Sequence, residues 1–444
     1  MAKSFISHRR RSLLVLPLIF MVLLLRSLPN PDSIMLGRPG TTNIDLYKPL
    51  ITYSDRLHSW IPENQRTIHG LFLCMEAKNC AQNQTKVIVL ASPEFIENKK
   101  GGYVSGENIW AFSTVSALQN MGYTMVYAES TDVAVTLYHI LDPLVEMVIF
   151  NPDQAFECFN APLCVRSEEN PAGIPAWRIF SFCFWSGLGT ALKINPLGDK
   201  WSLSPEDYPG REASYVGYSI EAQCHKQRHV PKEQRKHQAY ILGKRIGLFS
   251  PQNTAWAPEL YDAAATETGI AFIAAAYQET RDPTPKLSKA ITNLLAPGQE
   301  ILSQDKFYDH LAHSKVLVGL GDPVLSPTPY DALCLGVPFI NVIRSWDRTN
   351  PADKSRWAAQ HGFLKRLDPP YVYNVFAGDR KGFVDAVKSA VANPIESYIV
   401  DAMRISAVEK RLGELLQRNW RSEAIELLEQ RRSGRESGPL FHVE

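Results

Sequence analysis

The chain has 444 residues, 45% of them apolar and 10% aromatic, enough for two or three domains with large cores and too apolar for disorder. Basic and acidic residues nearly balance, 47 against 46, so no general polyanion-binding surface is expected and nucleic acid is not an expected partner. The seven cysteines include no C-x-x-C pair and no His–Cys cluster at zinc-ligand spacing.

In chain order, the basic run His8–Arg11 precedes an apolar stretch, Leu13–Leu25, and then Arg26. Arginines before a short apolar run favour a cytosolic N-terminus, and no small-x-small cleavage site follows. The expectation is a cytosolic tail (1–12), an uncleaved signal-anchor crossing the membrane (13–28) and a stem (29–85), with the remainder lumenal. A cleaved signal peptide is the alternative. Cysteine spacing suits a lumenal compartment: Cys74 with Cys80 and Cys158 with Cys164 bracket polar loops of equal length, each able to close a local disulfide. Cys183 and Cys334 lie in apolar stretches and read most simply as core thiols. Asn83, in NQT, is a candidate N-glycosylation site.

From Lys86 the pattern alternates. KVIVLAS predicts a buried strand, Glu107–Met121 a helix, TMVYAE a strand, Val133–Leu141 a helix, VEMVIF a strand, and PAWRIFSFCFW a fourth strand. Residues 190–236 are irregular and end in the basic run HKQRHVPKEQRKHQ, read as a solvated linker. AYILGK opens a second series: a helix at Pro258–Thr268, a strand at Gly269–Ala276, a helix at Ser303–Ser314, then the run Val316–Gly319. A proline-bearing segment leads to YDALCLG, and Val337–Ile343 reads as another buried strand. Helices are expected at Gly382–Asn393, Glu396–Asn419 and Ser422–Arg432. Such alternation implies parallel sheets of Rossmann type, one over 86–236 and one over 237–380, followed by C-terminal helices (381–444). This α/β outline is that of the GT-B glycosyltransferase fold.

Three groups of residues suit one chemistry. Glu107 follows a Gly-rich loop at a helix start, where a carboxylate can take a proton from an acceptor hydroxyl, although an acid also suits the helix's positive end. Lys244 ends a strand, placed either to neutralise a departing diphosphate or simply to sit in solvent. Free N–H groups around Ser326–Tyr330 would face the carboxyl end of the sheet, where open α/β folds bind ligands. An ordinary crossover with a proline-rich loop has the same local pattern. No D-x-D triplet occurs, so no metal is expected.

Val318–Asn341 (VGLGDPVLSPTPYDALCLGVPFIN) resembles the donor-site segment of glycosyltransferase family 18, the N-acetylglucosaminyltransferase V family. SGENIWAFSTVSAL resembles its G-E helix, KWSLSPEDY with SYVGYSIE its K-W-x-L-x-P segment and following strand, ILGK its Y-G-K strand end, and Gln360-His361 its QH. These motifs run in order from about Lys86 to Val375. The resemblance implies an inverting, metal-independent transferase with Glu107 as catalytic base. Lys244, Gly321, Ser326, Thr328, Tyr330 and Asp331 would form the nucleotide-sugar site, with Asp331 on the ribose. The implied donor is UDP-GlcNAc and the implied acceptor the 6-hydroxyl of an α-mannose on an N-glycan, in the Golgi, from a single-pass type II membrane protein. Asp331 stands where the family has glutamate, Leu325 replaces an acidic residue and Ser326 a glycine. The segment after Asn341 leaves open which of Arg348, Lys354 and Arg356 would meet phosphates. Another donor sugar, or a non-catalytic membrane-anchored glycan-binding protein, are the alternatives.

Overall fold

In the computed structural model, residues 60–443 are described apart from 101–104, 186–190, 209, 279–284, 286, 297, 300 and 301. The expected tail and membrane segment, with most of the stem, lie outside the described residues. Among the described residues no helix is long and apolar enough to cross a membrane.

The first sheet has six strands: β1 (Val87–Leu90), β2 (Thr124–Tyr127), β3 (Val145–Phe150), β4 (Ile179–Phe182), β5 (Ser202–Ser204) and β6 (Ser214–Tyr215). All pair in parallel, in the order β2-β1-β3-β4-β5-β6. The second sheet comprises β7 (Gln238–Ile241), β8 (Ala271–Ala274), β9 (Ile291–Asn293), β10 (Val316–Val318), β11 (Phe339–Ser345), β12 (Ala358–Ala359) and β13 (Val372–Phe376). Its order is β12-β11-β10-β7-β8-β9, with β13 also on β11; only β12 runs antiparallel. The parallel α/β architecture read from the alternation is therefore present in both halves. Helices cover both faces, so β1, β4, β10 and the first five residues of β11 are buried on each side, which is why they read as unbroken apolar runs.

Three segments differ from the sequence reading. Trp60–Ala77, placed in the stem, is an 18-residue helix. Leu71 is buried in the first half's core, and the Asn64 side chain both accepts from the Tyr127 N–H and donates to the Tyr127 carbonyl. The span Glu396–Asn419 is α-helical only over Ile405–Gln417, preceded by a 3-10 turn at Asp401–Met403, and Ile395, Ile399 and Val400 are buried in the irregular segment before it. The basic run before β7 is not wholly solvated: Arg235 is 6% exposed and donates to the carbonyls of Val230, Leu335 and Gly336.

The two halves share one hydrophobic cluster. The chain crosses back after the second sheet: Ile405–Gln417 packs on the helix Gly106–Asn120, and Trp420 meets Phe180 and Trp201 of the first half. Two helices near the carboxyl ends of the strands matter for function, Gly106–Asn120 from the first half and Thr328–Cys334 from the second.

Candidate active site between the two halves

Ser105 sets the first helix. Its hydroxyl accepts from the Asn108 N–H while the Asn108 side chain accepts from the Ser105 N–H, a reciprocal capping box that fixes the first turn. Gly106 then packs between the halves. A Cβ there would lie 2.9 Å from the Phe184 ring and 3.3 Å from Pro327 Cδ. The helix start of one half therefore lies close to Pro327 of the other with little room for a side chain at 106, and half-buried Glu107 is the next residue. Glu107 Oε1 accepts a hydrogen bond from Trp185 Nε1 at 3.2 Å.

Of Trp110, Trp185, Trp201 and Trp256, three are core. Trp110 stacks on Phe182, Trp201 packs on Trp420, and Trp256 donates to the Gly319 carbonyl beneath the glycine turn. Trp185 alone is exposed, at 40%, and it is the one beside the carboxylate.

On the second half, β7 and β10 lie side by side with Ile241 opposite Val318, so Gly243 and Leu320 touch where the strands end. That register puts exposed Lys244 and buried Gly321 at the same carboxyl edge. Gly321 has φ +112°, a conformation that a side chain would strain, and its N–H donates to Gln360 Oε1 at 2.9 Å. Leu325 takes φ +64°, a costly conformation for a residue with a Cβ, held by burial at 6% exposure and by its N–H on the Gln360 carbonyl.

The segments singled out by resemblance interlock through side-chain amides. Gln360 braces the glycine turn, its Oε1 on Gly321 N–H and its Nε2 donating to the Pro323 carbonyl. Asn341, fully buried on β11, accepts from the His361 N–H and donates to the His361 carbonyl and to Asn374 Oδ1. His361 Nε2 faces the Ser326 carbonyl at 3.2 Å. Asn341 and His361 together thus hold the turn.

The turn itself differs from expectation in three ways. Of its five residues two are prolines without N–H, and the Tyr330 N–H is spent on the Pro327 carbonyl. That leaves the N–H groups of half-buried Ser326 and Thr328, the latter donating a long hydrogen bond of 3.4 Å to the Ser326 hydroxyl. The Tyr330 ring, 1% exposed, packs edge-on against Tyr218 and His361 and joins the halves instead of lining a ligand site. Asp331 is 5% exposed and hydrogen-bonds Tyr308, and burial pushes its carboxyl up to about 7. A carboxyl withdrawn in this way does not offer the ribose contact expected of it.

Other sequence expectations fall as follows. Cys74–Cys80 and Cys158–Cys164 are disulfides. Cys334, read as a core thiol, is bonded to Cys224, which ties the inter-sheet segment to the Thr328–Cys334 helix; among the described residues Cys183 is the free thiol. Asn83 sits half-buried with its Nδ2 donating to the Met121 carbonyl. Lys354 pairs with Asp368, Arg356 lies near Asp347 and Asp353, and Arg348 stacks on Trp346. Among the described residues no group of three or more His, Cys, Asp or Glu side chains is gathered to hold a metal.

Sequence reasoning assigns no role to Trp185 and misses Glu206 and Arg344. Glu206, 6% exposed in the first half, lies 3.4 Å from His361 Nδ1, and Arg344 lies 3.5 Å from Asp322 beside the glycine turn. Their only local signal was membership of motifs whose other residues drew attention.

The sequence profile described as Glycosyltransferase family 18 matches residues 200–422, half of the chain, including Glu206, the Ser326 turn and Gln360-His361. The chain belongs to glycosyltransferase family 18. Its curated relatives include the rat and mouse proteins named alpha-1,6-mannosylglycoprotein 6-beta-N-acetylglucosaminyltransferase A, each 21% identical over 240 residues. The match covers 49% of this chain and 30% of each relative, so the family 18 chain spans about a third of their length. Among solved structures, UDP-GlcNAc 2-epimerase from Neisseria meningitidis bound to UDP-GlcNAc matches 75% of this chain and all of its own, at 11% identity and a TM-score of 0.34.

Proposed function

We propose that this family 18 chain is an inverting GT-B glycosyltransferase that moves GlcNAc from UDP-GlcNAc to the 6-hydroxyl of an α-mannose on an N-glycan. In this reading it works without a metal, in the Golgi lumen, behind a single type II anchor. The observation that carries it is the packing of Gly106 between Phe184 and Pro327, where the helix start that bears Glu107 in one half meets the turn of the other. The names of the rat and mouse relatives support the donor and linkage, and the missing D-x-D triplet supports the absence of a metal.

With Oε1 of Glu107 held by the Trp185 N–H, Oε2 is the oxygen that takes the acceptor hydroxyl proton. The hydroxyl oxygen attacks the anomeric carbon as the bond to UDP breaks, inverting that carbon. Negative charge grows on the diphosphate, where Lys244, the N–H groups of Ser326 and Thr328 and their hydroxyls would offset it, with Gly321 allowing close approach. The test is thermal unfolding of the full chain with UDP, UDP-GlcNAc, UDP-glucose and GDP-mannose, each with and without EDTA. A ligand at a hundred times its dissociation constant stabilises the fold by about 2.7 kcal/mol. Shifts with UDP and UDP-GlcNAc that survive EDTA are expected. A shift with GDP-mannose alone overturns the donor, and no shift with any of them favours a glycan-binding protein instead.

A further inference from the structure

Five buried polar atoms gather where the halves meet, none with a hydrogen-bond partner: Glu206 Oε1, His361 Nδ1 and the hydroxyls of Tyr215, Tyr218 and Tyr330. Proton placement follows from elementary chemistry. The Ser326 carbonyl only accepts, so His361 Nε2 carries a hydrogen. Its Nδ1 then faces Glu206 Oε1 at 3.4 Å, with the two side chains 1% and 7% exposed. Were both atoms bare, two lone pairs would oppose each other away from water, which is costly. One proton between them removes the conflict, whether the carboxylic acid donates to the imidazole or the imidazolium to the carboxylate.

We propose that Glu206 is a positioning residue: with His361 it forms a one-proton clasp across the two halves, which holds the Ser326 carbonyl and so the Ser326–Tyr330 turn. The inference rests on reading that turn as part of the donor site. Burial pushes Glu206 up to about 8 and His361 down to about 3, so the pair keeps its single proton from acid to mildly alkaline conditions. The groups facing it are few. Arg366 favours ionisation of Glu206 and Asp207 opposes it, and these two pair with each other at 4.0 Å on the exposed side. On the inner side are the three tyrosines, all held neutral by burial, with Arg411 over the Tyr215 ring. When the shared proton leaves at high pH, the clasp opens, and the Ser326 turn loses its support.

The experiment uses the full chain as wild type, Glu206→Gln and His361→Gln. Glu206→Gln keeps the volume and an N–H to donate to Nδ1 but has no proton to lose. His361→Gln removes Nδ1 and serves if the first variant does not fold. Thermal unfolding without ligand and the dissociation constant for UDP are measured from pH 5.5 to 9. The clasp predicts that wild type loses stability relative to Glu206→Gln as pH rises. It also predicts that wild-type UDP affinity falls by up to about tenfold per pH unit above the pair's titration, while the variant's does not. Parallel unfolding profiles overturn the clasp. Diverging unfolding profiles with parallel UDP profiles overturn the positioning of the turn. Failure of the donor-site reading shows separately, as no UDP binding by wild type at any pH while the unfolding profiles still decide the clasp.

Discussion

Opening the Cys224–Cys334 disulfide tests how the second half is held. The bond joins residues 110 apart, whereas Cys74–Cys80 and Cys158–Cys164 each span six. If a cross-link acts mainly by restricting the unfolded chain, its effect grows with the logarithm of the loop, to about 4.8 kcal/mol for the long one and about 2.2 kcal/mol for each short one. The variant Cys224→Ser/Cys334→Ser is therefore expected to lose about 2.6 kcal/mol more than Cys74→Ser/Cys80→Ser. Native geometry should change much less. The end of the Thr328–Cys334 helix is also held by Arg235 on the Leu335 and Gly336 carbonyls, and by the Tyr398 N–H on the Leu333 carbonyl. UDP affinity of the folded double variant should stay within about threefold of wild type, because the loss resides in the unfolded state. Guanidinium unfolding followed by tryptophan fluorescence gives the stabilities, and calorimetry gives the affinity. Equal losses for the two double variants would refute the chain-entropy argument. A collapse of UDP binding would show instead that the bond shapes the native turn.

Four further outcomes follow from the site. Glu107→Gln should reduce turnover by about 10²–10⁴-fold with UDP affinity unchanged, and a variant retaining most of its rate removes Glu107 from the role of base. Trp185→Phe keeps the ring but not the N–H on Glu107; the exposed bond should be worth about three- to tenfold in turnover, and an unchanged rate would make it incidental. Gly106→Ala forces a methyl against Phe184 and Pro327, at a cost of about 1–3 kcal/mol by denaturant titration, and a neutral result would mean the helix start shifts freely. The pH dependence of stability has a definite sign. The raised Glu206 contributes stability that is whole below pH 4.5 and declines towards pH 8, while the lowered His361 contributes stability that declines as pH falls from 6.5 towards 3. Between 4.5 and 6.5 the two slopes cancel. From 6.5 to 8 the Glu206 slope alone costs about 2 kcal/mol, which Glu206→Gln should remove, and a wild-type curve as flat as the variant's would contradict the assignment.

What was legible in the sequence follows from how each element is buried. VIVL, VEMVIF and FINVI announce themselves because a parallel strand covered on both faces needs apolar side chains at nearly every position. Ser202–Ser204, Ser214–Tyr215 and Ile291–Asn293 are two or three residues long and mostly polar, so no period could reveal them, yet the first two carry the sheet to the segment that bears Glu206. The Cys224–Cys334 bond was equally hidden, since a pairing across 110 residues has no local signature. Candidate site residues divide the same way. Gly321 declared itself through the glycine-rich strand end. Asp331 drew attention through the family resemblance, but nothing near it in sequence tells that Tyr308 will claim its carboxyl.

The two sides of the site stand on different grounds. The family match begins at residue 200, so Glu206, the Ser326 turn and Gln360-His361 fall within it, while Glu107 and Trp185 do not. On the matched side, Asn341 fixes the His361 backbone, His361 reaches the Ser326 carbonyl, and Gln360 fixes Gly321, so a change at any one amide is transmitted to the turn. Glu107 has no such network. Its position depends on the capping box at Ser105, on the Trp185 N–H and on the fit of Gly106 between Phe184 and Pro327. Substitutions at Asn341, Gln360 or His361 should therefore disturb the turn through several bonds at once, whereas Trp185→Phe removes a single bond to Glu107.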